Sequence, residues 1–282
     1  MKRIAIIVVT AVILTGCASL MRSATSKMAD NISLAILNQN DPETVRLGAP
    51  AYLLMIDGLI EGDPENSDLL LAGSKLYSSY SFAFIAEEER AKRFADKSLA
   101  YARTALCVEN SKLCEMLSAK QDQFQAALDK TDLGDVAALY GYGDALASWI
   151  QVNASDWNAL ADLPKLTALF EQSLKLDESF DNGGSHLYLG VLSSQLPPAF
   201  GGKPDKARFH FERALEIAGD KNLMIRVFMA QHYARLVFDQ ALHDSLLQEV
   251  LSKSADVPGF TLINTMAKQQ ATVLLEESVD FF

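Results

Sequence analysis

The sequence predicts an all-α protein, a helical-hairpin solenoid with modified tetratricopeptide-like repeats. Apolar residues recur along most of the chain at steps of three and four, whereas the alternation typical of strands is scarce. Short joints that contain glycine or proline separate these periodic segments, as expected for antiparallel helical hairpins. One segment also repeats further along the chain, which is typical of stacked helical units.

Helix boundaries are clearest in the first third of the chain. A helix is expected to begin at Asp41-Pro42-Glu43, because aspartate caps helices and proline suits the first turn. Gly62-Asp63-Pro64 should end this helix, since glycine and proline both interrupt helical backbone. The next helix should begin at Asn66 or Ser67.

Two segments carry the repeat. LFEQSLKLD (169–177) and HFERALEIA (210–218) superimpose with a shift of 41 residues, which pairs Phe170 with Phe211. The second copy has the Ala-x3-Phe-x2-Ala spacing of a tetratricopeptide repeat that is about 7 residues longer than usual. Small residues let two helices approach closely, and the aromatic ring fills the groove between them. The residues expected to pack the repeats are Leu189, Gly190, Ala207, Phe211 and Ala214.

The start of the chain resembles the leader of a bacterial lipoprotein. A short basic segment precedes an apolar run, residues 4–14, which is too short to span a bilayer and suits a signal-peptide core. Leu14-Thr15-Gly16-Cys17 then resembles a lipobox, in which the cysteine thiol carries the lipid. The alternative is an ordinary secretory signal with a cysteine at this place by chance.

On the lipoprotein interpretation, lipid on Cys17 anchors the chain to a membrane. No aspartate follows this cysteine, which favours the outer membrane with the protein facing the periplasm. The expected organisation is a signal peptide at residues 1–16, a lipidated tether at 17–29 and a single tetratricopeptide-like helical domain at 30–282.

Charge excludes one class of partner. The formal net charge is −11, and removal of the signal peptide would take away Lys2 and Arg3 without any acidic residue. An acidic chain of this kind is repelled by nucleic acid and by anionic lipid. We therefore expect no nucleic-acid binding, and we expect the lipid rather than a basic surface to hold the protein at the membrane.

Two further cysteines, Cys107 and Cys114, leave two alternatives. On an uninterrupted helix the seven-residue separation corresponds to about 10.5 Å, too far for a disulfide. A turn at Glu109-Asn110-Ser111 would bring the two together, and an oxidising compartment would then favour a bridge. Otherwise both are buried thiols on one helix face.

The motifs of enzymes are missing from the sequence. Gly201-Gly202-Lys203 could cradle a phosphate, but such a loop needs a preceding strand and a serine or threonine after the lysine. Here Pro204 follows, so the glycines are interpreted as a turn that leads into a helix. No Gly-x-Ser-x-Gly sequence occurs, and zinc-protease spacing is absent among His186, His210, His232 and His243. We expect no enzymatic activity, no cofactor and no metal.

Residues 40–84, residues 183–218 and residues 222–234 together resemble the TRAP transporter T-component lipoproteins. The resemblance implies a periplasm-facing helical protein with modified tetratricopeptide repeats, tethered to the outer membrane. It implies association with the solute-binding protein of a TRAP transporter, which imports small organic solutes with an ion gradient. It leaves open homo-oligomerisation with pores through the protomers. The family has no catalytic residues to carry over.

Two segments are candidates for a partner or ligand surface. The first is an aromatic helix and the second is an apolar, proline-stiffened joint inside a repeat, where insertions often map to the binding face. Each has a simpler alternative, because the aromatic residues could be core and Phe200 could plug a gap between helices. The candidate residues are Tyr77, Tyr80, Phe84, Pro197, Pro198, Phe200, Gly201, Gly202 and Lys203.

Two functions remain open at this stage. One is a transport accessory that docks a solute-binding protein and passes a small organic ligand, with a hydrophobic one as an option. The other is a repeat-type scaffold lipoprotein for cell-envelope assembly that holds no small ligand.

Overall fold

The computed structural model describes residues 26–29, 31–196 and 202–282, and within these ranges the protein is all-α, with no strand. Residues 26–29 and 31–37 are helical. The helices that follow are α1 (Pro42–Gly62), α2 (Ser67–Phe84), α3 (Glu88–Glu109), α4 (Ser111–Met116), α5 (Gln121–Leu128), α6 (Val136–Val152), α7 (Trp157–Leu160) and α8 (Leu163–Leu176). After them come α9 (Gly184–Ser193), α10 (Pro204–Ala218), α11 (Met224–Phe228), a π-helix (Met229–Ala234), α12 (Gln240–Ser252), α13 (Thr261–Glu276) and α14 (Ser278–Phe281). The all-α prediction is confirmed.

Several predicted residues lie outside the described ranges. These are the signal peptide, the lipid-attachment residue Cys17, and Pro197, Pro198, Phe200 and Gly201 in the joint between α9 and α10. Across the ranges that are described, no helix has both the length and the apolar character needed to cross a membrane.

Side-chain caps set the ends of α1 and α2. The Asp41 carboxylate accepts the backbone N–H of Glu43 at 3.0 Å, and proline occupies the first turn. The Asn66 amide oxygen accepts the N–H of Leu69 at 3.2 Å, so Asn66 is the residue that caps α2. Both predicted helix starts are confirmed.

Aromatic rings pack against glycines where neighbouring helices meet. A Cβ atom on Gly190 of α9 would lie 3.1 Å from the Phe211 ring of α10, and one on Gly143 of α6 would lie 3.0 Å from the Phe170 ring of α8. Leu189, Ala207, Phe211 and Ala214 are all buried. The two aromatic residues that the repeat alignment pairs therefore occupy equivalent environments, and the tetratricopeptide assignment itself stays a prediction.

The last helices return to the first. Leu262 of α13 is buried in the N-terminal core beside Leu53 and Ile56, and Met266 packs against both this core and the C-terminal one. The backbone N–H of Gly259 donates to the Asn38 side chain at 2.6 Å. This contact is a departure from an open repeat array, in which each unit touches only its neighbours.

A disulfide joins Cys107 and Cys114, whose Cα atoms are 4.9 Å apart. The approach is possible because α3 ends at Glu109 and α4 begins at Ser111, with Asn110 capping the new helix through the N–H of Leu113 at 3.0 Å. The turn considered from the sequence is therefore present.

Candidate functional site

Of the three candidate residues on the aromatic helix α2, two lie in the core and one also lines a surface cleft. Tyr77 and Tyr80 are only 5% and 7% exposed, and their rings lie 5.2 Å and 5.9 Å from that of Phe94 on α3. Phe84 is partly buried and packs on Tyr80 at 5.3 Å. Tyr80 and Phe84 are core residues, whereas Tyr77 also lines a surface cleft.

Tyr80 completes the hydrogen bonding of a helix that contains proline. Pro50 lies inside α1 and has no N–H to donate to the carbonyl of Arg46, four residues earlier. The Tyr80 hydroxyl donates to that carbonyl instead, at 2.8 Å. The contact is partly buried, where a carbonyl without a partner is costly, so the Tyr80 hydroxyl makes the proline tolerable at this place.

A cleft of about 410 Å³ opens between α1 and α3, and we call it the α1–α3 cleft. Its volume falls in the range of sites that hold small organic ligands. A second cavity, beside Ala29 and Tyr52, has about 10 Å³, too little for any such ligand. The α1–α3 cleft is lined by Pro50, Leu53, Leu54, Asp57, Tyr77, Arg93, Phe94 and Lys97.

One carboxylate organises the polar side of the cleft. Asp57 accepts hydrogen bonds from the Tyr77 hydroxyl at 2.8 Å, the Lys97 ammonium at 2.5 Å and the Tyr101 hydroxyl at 2.7 Å. We call these four residues the Asp57 network. Because its members come from α1, α2 and α3, the network fixes the three helices that surround the cleft.

The network has a defined protonation state near neutral pH. Burial, reinforced by hydrogen bonding to Asp57, raises the pKa of Tyr101 to about 12 and also raises the pKa of Tyr77. Burial opposes the charge on Lys97, but its hydrogen bonds with Asp57 and Tyr77 outweigh this and raise the pKa of Lys97. Both tyrosines are therefore hydrogen-bond donors, and Lys97 is a cation.

The other side of the cleft is apolar and open. Leu54 is 73% exposed at its rim, whereas Leu53 is buried. Pro50 and the Phe94 ring complete this wall. Arg93 is the second cation of the lining; its side chain is 66% exposed, and Glu87 lies 4.0 Å away.

The predicted joint between α9 and α10 is described only at its edges. Gly202 is partly exposed and Lys203 exposed, and the Lys203 N–H lies 3.5 Å from the Ser193 carbonyl. Lys203 precedes α10, with Pro204 in its first turn, as expected for a loop that leads into a helix. Neither Gly202 nor Lys203 lines the α1–α3 cleft.

Two histidines that sequence reasoning treated separately meet beside this joint. His186 on α9 and His210 on α10 approach through their Nδ1 atoms at 2.8 Å. The Nε2 atom of His186 lies 3.1 Å from Glu178, which accepts two hydrogen bonds from Arg213, both at 2.8 Å. Burial, followed by electrostatic repulsion from His186 when it is protonated and from Lys206, lowers the pKa of His210 to about 4. The pair is therefore neutral near pH 7 and holds α9 against α10.

No group of three or more histidine, cysteine, aspartate or glutamate side chains in the described part of the chain could hold a metal ion.

Comparison with known proteins identifies one family. A family model described as TRAP transporter T-component matches residues 38–282. A search of curated proteins finds no match to this chain. The matched range contains every residue of the α1–α3 cleft, the disulfide and the histidine pair.

Proposed function

The chain belongs to the TRAP transporter T-component family, and on that premise we propose that it is a non-enzymatic accessory lipoprotein of a TRAP-type solute uptake system. In this role it docks the periplasmic solute-binding protein and passes a small organic ligand. The observation that carries the proposal is the family match across residues 38–282. The family is a transport accessory rather than a known enzyme family.

The proposed docking surface surrounds the joint between α9 and α10. Its described flanks expose two large apolar side chains, Leu196 at 52% and Phe209 at 59%. Exposed apolar patches are typical of protein–protein contacts, and we propose that these two side chains contribute to one. The histidine pair and the Glu178–Arg213 ion pair hold the two helices that carry this surface.

We propose that lipid on Cys17 anchors the protein to the outer membrane, with its helices in the periplasm. Support comes from the lipobox-like Leu14-Thr15-Gly16-Cys17 and from the Cys107–Cys114 disulfide, since stable disulfides are typical of oxidising compartments. The solenoid of modified tetratricopeptide repeats is likewise proposed, supported by the matching Gly143–Phe170 and Gly190–Phe211 contacts. Homo-oligomerisation remains a proposal that rests on the resemblance alone.

Calorimetry with a TRAP solute-binding protein from the same organism tests the docking proposal. Leu196→Ser should weaken binding about tenfold or more if this residue is an interface anchor. Trp157→Ser is the matched control, because Trp157 is 84% exposed on a different helix, α7, and should leave binding unchanged.

Two results would contradict this proposal. If the Leu196→Ser variant and the wild type bind the solute-binding protein with equal affinity, the α9–α10 joint is not part of the interface. Absence of heat with the solute-binding protein, together with cross-linking in cells only to envelope-assembly proteins, would favour the scaffold alternative.

A further inference from the structure

We propose that the α1–α3 cleft binds a small organic monoanion whose body is apolar and contains a ring. The use of this ligand as a transported solute rests on the proposed function. The ligand chemistry itself is inferred from the residues of the cleft.

The apolar wall determines the body of the ligand. Pro50, Leu54 and Phe94 form one side, and Leu54 remains 73% exposed although it lies at the edge of a concave surface. A flat apolar group placed here would cover Leu54 and contact the Phe94 side chain beside Arg90, whose guanidinium lies 5.4 Å from the centre of that ring. A strongly hydrated ligand would lose water against this wall without gaining polar partners.

The cationic side chains of the lining determine the sign of the charge that the ligand carries. Among the lining residues, Arg93 and Lys97 accompany only one carboxylate, Asp57. That carboxylate already accepts three hydrogen bonds, so a cationic ligand would have to compete with Lys97 for it. An anionic ligand instead gains an ion pair with Arg93, because the guanidinium can donate two parallel hydrogen bonds to a carboxylate.

The contacts around Arg93 are weak enough to leave its guanidinium available to a ligand carboxylate. Its ion pair with Glu87 spans 4.0 Å, and the two side chains are 66% and 63% exposed. Exposed pairs of this kind contribute little and exchange readily with solvent. A ligand carboxylate therefore displaces a weak contact.

The cleft favours one negative charge over two. A second carboxylate would lie either against the apolar wall or close to Asp57, and both positions are unfavourable for an anion. Dicarboxylates should therefore bind more weakly than monocarboxylates of similar size.

Calorimetry on the purified chain with 4-phenylbutyrate, 4-phenylbutyramide and succinate tests this ligand class. The phenyl monocarboxylate should bind at least about tenfold more tightly than its neutral amide, a difference of one charge-assisted contact. Succinate should bind more weakly still. Equal binding of the amide, tighter binding of succinate, or no heat with 4-phenylbutyrate at millimolar concentration would each overturn the proposal.

Two pairs of matched variants locate the site. Arg93→Gln should weaken 4-phenylbutyrate about tenfold, whereas Arg103→Gln removes the same charge from an exposed residue of α3 outside the cleft and should have no effect. Leu54→Ser should also weaken binding, whereas Leu47→Ser changes a leucine of α1 that is 65% exposed and does not line the cleft. Unchanged melting temperatures would show that each variant is folded. Equal effects within either pair would refute this location.

The ligand and docking experiments can fail separately. Binding of 4-phenylbutyrate without any solute-binding protein interaction would contradict the proposed transport function and leave the cleft ligand intact. Docking of the solute-binding protein without probe binding would contradict the ligand class alone.

Discussion

Replacing Tyr80 by phenylalanine should reveal how this fold accommodates a proline inside α1. The substitution keeps the ring, which is 7% exposed, and removes only the hydroxyl that donates to the Arg46 carbonyl at 2.8 Å. The helix cannot satisfy this carbonyl, because Pro50 occupies the position whose N–H would reach it. This hydrogen bond is partly buried, so the acceptor that loses its donor costs less than a fully buried one, and we expect Tyr80→Phe to destabilise the protein by about 1–2 kcal/mol.

Combining Tyr80→Phe with Pro50→Ala in a double-mutant cycle tests whether the Tyr80 hydroxyl matters because of the proline. Alanine restores an N–H that can donate to Arg46, so the hydroxyl of Tyr80 becomes redundant in this background. Tyr80→Phe should then cost less, with a coupling free energy of about 1 kcal/mol or more between the two positions. Urea unfolding monitored by circular dichroism gives the free energy of unfolding for all four proteins.

A second proline supplies the control. Pro42 lies in the first turn of α1, where an N–H would have no helical partner, so Pro42→Ala should not change the cost of Tyr80→Phe. If the cost of Tyr80→Phe is the same in the wild type and in the Pro50→Ala background, within about 0.5 kcal/mol, the proposed compensation is wrong.

Four further predictions concern anchoring, packing, the disulfide and acid stability. Cys17→Ser should move the protein from the membrane fraction to the soluble periplasmic fraction, and persistent membrane association would contradict the lipid anchor. Phe211→Ala should reduce the free energy of unfolding by about 3–5 kcal/mol, whereas Phe209→Ala, at an exposed neighbouring residue, should change it by less than about 0.5 kcal/mol. Without reductant, Cys107 and Cys114 should resist alkylation in denaturant; two reactive thiols would exclude the bridge. Because folding lowers the pKa of His210 from 6.5 to about 4, the unfolded chain binds more protons between these values, and stability should fall by about 1–2 kcal/mol as pH drops through this window. His210→Asn, which can still donate to His186, should lose less, as chemical denaturation at several pH values would reveal.

The sequence predicts local structure where the responsible residues are neighbours in the chain. Asp41 and Asn66 cap helices through N–H groups two or three residues away, and the sequence therefore contains both partners. The repeat alignment works for a similar reason, because Phe170 and Phe211 each sit at a fixed place within their own helix. The return of α13 to the first helices has no such local signal, since Gly259 meets Asn38 only after the whole chain has folded.

The α1–α3 cleft shows the same difference between local signals, which the sequence contains, and long-range contacts, which it does not. Asp57 lies among Leu53, Ile56 and Ile60 on the buried side of α1, and an acid at that place needs hydrogen-bond partners. This is the signal by which the cleft could have been found. The sequence cannot name those partners, because they lie 20, 40 and 44 residues further along the chain on two other helices. The sequence therefore indicates Tyr77 only through its aromatic character, which it shares with Tyr80, although of these two residues only Tyr77 lines the cleft.

The Asp57 network bears on binding through its rigidity rather than through its net stabilisation. Moving a charged pair away from water is costly, and apolar residues of similar volume would often hold three helices together equally well. The network instead fixes the directions of the Tyr77 and Lys97 side chains, because three donors converge on one carboxylate within 2.8 Å. Lys97 is further held over the Tyr77 ring at 4.9 Å. A cleft whose polar side is ordered before the ligand arrives loses little conformational freedom on binding. The exposed Arg93 and Leu54 are then the residues that a ligand has to order, and they are the residues whose replacement should change its affinity most.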